Sequence, residues 1–164
     1  MFDNRDKQLT DLDTAYGAFL QTVRGLSPEA FLRSLGDWTP RDIVAHLIGW
    51  NRITLVGCGE LREGVEPFYF YDGTNDYRKV NAKFFRQFGS ENRDALLEEM
   101  AVTMDALAAF LKTIDEAEWE ADTGIVHYRG GPATVARCVD SLVRDYRKHR
   151  EEIVSADNQR FTKT

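Results

Sequence analysis

The chain carries few groups with reactive chemistry, and three of them form a pattern. Its histidines are His46, His127 and His149. His46 shares a face with Ile43 and Trp50, at the spacing that stacks side chains on one side of a helix. Asp145 and His149 stand at i and i+4, with Leu142 and Ile153 on the same face. Polar groups on an apolar stripe need partners, because a buried and unpaired one costs about 1–3 kcal/mol. Two imidazoles and one carboxylate make a facial ligand set with positions open to water and substrate. A divalent ion held there lowers the pKa of a bound water or polarises a carbonyl. The plainer reading of the same residues is an i,i+4 ion pair beside a hydrogen-bonded core histidine. Spacing alone leaves both open.

Other residues add context. Trp50, Cys138, Leu142 and Tyr146 are the expected wall of a pocket beside this cluster. Cys138 lies two turns before Asp145, and as a single thiol it also suits plain packing. His127 falls in a loop and reads as ordinary. Asp42 is explained by helix capping, and nothing specific requires Arg52 or Glu60 at the bundle mouth. The run Phe68-Tyr69-Phe70-Tyr71 puts four aromatics in one loop, where they can cover a pocket. No phosphate loop, dinucleotide fingerprint or nucleophile elbow is present.

The elements that position these residues read as helices. Leu9, Leu12, Tyr16, Phe19, Leu20 and Val23 mark an amphipathic helix over about 5–24, ended by Gly25. Ser27-Pro28-Glu29 starts a short helix to about Arg33. Thr39-Pro40-Arg41-Asp42 is a capping box opening a helix that runs to about Glu63 and carries His46. Gly64 to Gly73 reads as a loop. A helical pattern returns at Asn75, breaks at Gly89-Ser90, and continues as a long helix through Ile114. Asp115 to Trp119 reads as a short turn. Ile125 to Tyr128 has the look of a short strand in a loop. The last helix spans about 134–156, and a fraying tail is expected beyond it. The two halves share a texture of long helix, short turn, loop and capped helix, which suggests a pseudo-repeat. An all-α bundle of four main helices with short extra helices in the connections is the packing solution this order favours.

Composition bounds the rest. The 164 residues suit a single domain over 1–164, with 43% hydrophobic and 29% charged residues. A net charge of −6 argues against nucleic acid, whose phosphates need a concentrated basic surface. Arg144, Arg147, Lys148 and Arg150 cluster, but Glu151 and Glu152 follow at once, as on a solvated helix face. The two cysteines form no CxxC motif, the N-terminus shows no basic region followed by an apolar run, and no membrane-length apolar run occurs. A reduced, cytoplasmic protein without a membrane partner is the expectation.

The stretch from Trp38 to Trp50, which reads WTPRDIVAHLIGW, resembles the second helix of the DinB/YfiT-like superfamily. The segment from Asp145 to Ile153 resembles its last helix, and 75–119 is similar to the DfsB/ClbS branch, with its extra helix before the third main one. The resemblance covers nearly the whole chain; it rests on the order and separation of these motifs together. It implies a four-helix bundle of up-down-down-up topology, often dimeric. It also implies a nickel or zinc ion held by one histidine of the second helix and an HxxxH pair of the last. His46 and His149 match that pattern, whereas Asp145 stands where the family often has histidine, which weakens softer-metal binding but keeps a competent ligand. Known activities in the family differ widely and include thiol-dependent transferases and isomerases and the opening of an electrophilic cyclopropane.

Three functions compete on this reading. The first is a metal-dependent small-molecule enzyme, a hydrolase or thiol-dependent transferase, using His46, Asp145 and His149. The second is a metal-free hydrolase or sequestering protein guarding against a reactive metabolite. The third is a non-catalytic dimeric binding module, which gains nothing from three polar groups on apolar faces.

Overall fold

A computed structural model of the chain describes residues 4–71, 83, 86–87 and 92–161. Its long helices are α1 (Asn4–Arg24), α3 (Pro40–Arg62), α4 (Arg93–Leu111) and α6 (Val135–Phe161). Two four-residue helices, α2 (Pro28–Phe31) and α5 (Glu116–Trp119), and a 3₁₀ turn at Phe68–Tyr71 occupy the connections. The helix expected from Asn75 lies almost wholly outside the described residues.

The starts follow local chemistry. Thr39 Oγ1 accepts from the Asp42 N–H at 3.2 Å, and Asp42 returns a carboxylate to the Thr39 N–H at 2.9 Å. That reciprocal box satisfies two backbone donors that the first turn leaves orphaned. Ser27 and Asn92 cap α2 and α4 by accepting from the Ala30 and Ala95 N–H groups, and Asp115 forms a second reciprocal box with Glu118 at α5. α6 runs five residues past its expected end at Ala156, because no Gly or Pro interrupts the chain after Pro132 and propensity carries the helix on. The strand expected at Ile125–Tyr128 is reduced to one antiparallel bridge, Val126 to Pro132.

Side-chain pairs give the topology. Gln8 reaches Ala136 and Tyr16 meets Tyr146, so α1 and α6 run parallel. His46 meets Asp145 while Cys58 meets Cys138, so α3 runs against α6. Arg52 pairs with Glu99, and Arg62 reaches Thr113, so α4 runs with α3. The result is an up-down-down-up four-helix bundle. Two parallel neighbours need a crossover, which accounts for the long connection between α3 and α4.

α3 is the central helix. It packs on α4 at one side and α6 at the other, and Ile43 through Gly49 are all buried. The core runs through Phe19, Leu47, Met100, Leu107 and Trp119. A buried polar chain crosses it. Tyr146 Oη donates to Asn51 Oδ1 at 2.9 Å, Asn51 Nδ2 to Thr103 Oγ1 at 3.1 Å, and Thr103 Oγ1 to Met100 O at 2.9 Å. It ties α6, α3 and α4 together with every partner satisfied. Among the described residues, no helix is long and apolar enough to cross a membrane.

Candidate metal centre and its cavity

Antiparallel packing of α3 on α6 brings the three expected ligands together. His46 Nε2 lies 2.8 Å from Asp145 Oδ2, and His149 Nε2 lies 3.3 Å from Asp145 Oδ1. One ligating atom from each of the three falls within 4.8 Å of the others, close to the roughly 3–4 Å between ligands sharing one divalent ion. Both imidazoles are only 5% exposed, and the Asp145 side chain is 29% exposed towards the cavity mouth.

The surroundings orient this set. His149 Nδ1 meets Glu152 Oε2 at 2.7 Å, the outer carboxylate that turns the opposite nitrogen of a ligating imidazole inward. Trp38 stacks on His149 at 5.5 Å and 23°, and also lies 4.9 Å from the His46 ring. Trp38 directly precedes the cap residue Thr39, so the capping box that starts α3 also seats this indole. Burial alone would raise the Asp145 pKa, but hydrogen bonds and charge from His149 and His46 hold it well below the usual carboxylate range. Burial likewise works against charged His149, yet Asp145 and then Glu152 raise its pKa above the ordinary value.

The cluster forms one end of a cavity of about 560 Å³, within the range of small-molecule sites. Trp50, Cys138 and Leu142 line it as expected. Tyr146 does not. It is fully buried on the other side of α6, edge-on to Tyr16 and Phe19. Consecutive helical residues point about 100° apart, so Asp145 and Tyr146 cannot both face the cavity. Asp42 stays in its cap, and Glu60 accepts from the Phe68 N–H at 3.0 Å, bracing the aromatic loop. From that loop Tyr69 enters the cavity wall, 5.8 Å from Trp50 and with its hydroxyl 3.9 Å from Cys138 Sγ.

Trp38 and His127 are among the cavity residues that escape a reading of the sequence by periodicity. Trp38 is visible only as the apolar residue before a cap. His127, read as ordinary, is 4% exposed and lines the cavity; the glycine pair behind it, Gly130-Gly131, is the one local signal of a fixed turn.

The chain belongs to the DinB superfamily, whose family model matches residues 11–153. No curated protein matches it in sequence. Solved structures resemble it along nearly its whole length. The colibactin self-resistance protein ClbS, determined in complex with dsDNA, superposes with TM-score 0.76 at 15% identity, over 92% of this chain and 93% of that one. DfsB, described as a sibling lethal factor precursor, gives 0.78 at 14% identity, over 98% of both chains. The mycothiol-dependent maleylpyruvate isomerase gives 0.75 at 14% identity, over 93% of this chain and 63% of that one. Identities this low establish a shared fold.

Proposed function

We propose that this protein is a divalent-metal-dependent enzyme acting on a small molecule, as a hydrolase or a thiol-dependent transferase. The observation that carries the reading is convergence. Two imidazole nitrogens from different helices meet one carboxylate at the end of a cavity, with an outer carboxylate on His149. The donor set of two nitrogens and one oxygen suits zinc or nickel. His46, Asp145 and His149 would hold the ion, which when bound supplies Lewis acidity and an activated water or thiol. The chain's own groups do the rest. Glu152 fixes the His149 ring, Trp38 covers both imidazoles from one side, and Trp50 and Tyr69 offer an apolar wall to a substrate. Superfamily membership supports a homodimer, which sedimentation reads directly.

One observation favours a metal-free alternative, a hydrolase or sequestering protein for a reactive metabolite. Glu152, His149, Asp145 and His46 already partner one another through two hydrogen bonds and an ion pair, with no ion required. The test is a panel of esters and electrophilic small molecules, each assayed with and without a low-molecular-weight thiol. Chelated protein should be inactive and regain activity on zinc or nickel. Full turnover by chelated protein contradicts the metal reading and leaves the alternative.

A further inference from the structure

The cavity has a second polar end that the proposed metal chemistry does not use. His127 lines it from a hairpin between α5 and α6. Gly130 and Gly131 turn the chain at φ 82° and 76°, a left-handed pair that residues with side chains avoid. The hairpin closes through the His127 N–H to Gly131 O at 2.8 Å and the Gly130 N–H to His127 O at 2.7 Å. Arg137 of α6 clamps it, donating to Gly130 O at 2.6 Å and Pro132 O at 3.0 Å. The ring packs on Tyr128 at 4.0 Å and Phe70 at 5.2 Å.

Hydrogen bonding fixes the tautomer. The Arg129 backbone N–H donates to His127 Nδ1 at 3.1 Å, so the neutral ring carries its proton on Nε2. Burial, and then the charges of Arg137 and Arg129, hold the pKa down to about 4. At physiological pH the ring is therefore a neutral donor. Nε2–H is its remaining polar group, and among the described residues no acceptor meets it. Nε2 is not among the buried side-chain atoms left without a partner, and His127 lines the cavity, so a water or a ligand there can supply the acceptor.

The described lining carries more cations than carboxylates. Arg129, two residues along the hairpin, also lines the cavity with its guanidinium 5.4 Å from the Tyr128 ring centroid, and Arg144 and Lys148 line it from α6, paired with Asp140 at 3.0 Å and Glu152 at 3.9 Å. Asp145 is the one carboxylate among the described lining residues, and two imidazoles hold it. Tyr69 and Tyr128 link His127 to Cys138, which precedes Asp145 by seven residues, or roughly 10 Å along α6.

We propose that His127 Nε2–H, with Arg129 beside it, is an anion subsite that takes a carboxylate of the substrate while the substrate's apolar body lies on Trp50 and Tyr69. The proposal deepens the small-molecule reading of the cavity and rests on it, but not on a bound ion. It sets the substrate class as an elongated or aromatic carboxylic acid whose reacting end points towards His46, Asp145 and His149.

Benzoate tests it, with benzamide as the neutral counterpart, on the full metal-free chain by calorimetry and ¹⁵N-histidine NMR. The free protein should show His127 as the Nε2–H tautomer, and benzoate should move that resonance and bind more tightly than benzamide. His127→Phe should weaken benzoate by roughly tenfold to a hundredfold. His127→Gln, which keeps a side-chain N–H, should restore part of that, and Arg62→Ala, which removes a cation outside the cavity lining, should leave it unchanged. A thermal melt checks that each variant folds, and the wild-type NMR result stands whether or not they do. Three results overturn the subsite: equal binding of benzoate and benzamide, loss on Arg62→Ala but not on His127→Phe, or no binding at millimolar benzoate. Because metal is absent throughout, failure here is separate from failure of the metal reading.

Discussion

Asp145 sits between two imidazoles, and its neighbours make the pair with His149 sensitive to pH. The His149 pKa is raised above its ordinary 6.5. A base whose pKa rises on folding contributes stability that is fully present below 6.5 and is lost as pH climbs through the raised value. Asp145 is depressed below 3.8, so its contribution is present above 3.8 and lost only as pH falls through the lower value. For metal-free protein, the urea-midpoint gap between wild type and His149→Gln should be widest below pH 6.5 and shrink in alkali. A gap independent of pH would mean that the pair does not share a charge. The three candidate ligands were legible in the sequence because each is a polar residue on an apolar helical stripe. His127 was not, because a loop has no periodicity to mark its inward face. Tyr146 was misplaced because it neighbours Asp145 in sequence and faces elsewhere in space.

Helices were read closely from the sequence, because capping boxes and apolar stripes are local signals. What they touch was less visible. Gly57 shows the difference. A Cβ there would lie 2.8 Å from Tyr69 Cε1, so the missing side chain lets the aromatic loop rest on α3 and complete the cavity wall. In Gly57→Ala, the helix gains about 1 kcal/mol of propensity. Overpacking costs about 1–3 kcal/mol. Net stability should change little or fall modestly, while the Tyr69 ring is displaced. The Tyr69 ring resonances should shift in the variant; unchanged resonances would show that the loop does not bear on this glycine. The extent of α6 was underestimated for a related reason, since helix ends without a breaker leave no mark in sequence.

The up-down-down-up topology follows from which helices run parallel, and sequence spacing carries that only through resemblance to a family. Whole-molecule charge is read more simply. At −6 the chain repels a polyanion, although its structural neighbour ClbS was determined with dsDNA. Fluorescence anisotropy with a labelled duplex at physiological salt should show no binding at micromolar protein, and saturable binding there would contradict the reading. The central claim is that α3 and α6 together build a divalent-ion site. Elemental analysis reads it most directly, on protein expressed with zinc and nickel and purified without chelator or metal resin. The account predicts about one ion per chain, falling to background in both His46→Ala and Asp145→Ala. Metal at background level in the wild type, or equal content in the two variants and the wild type, would contradict it.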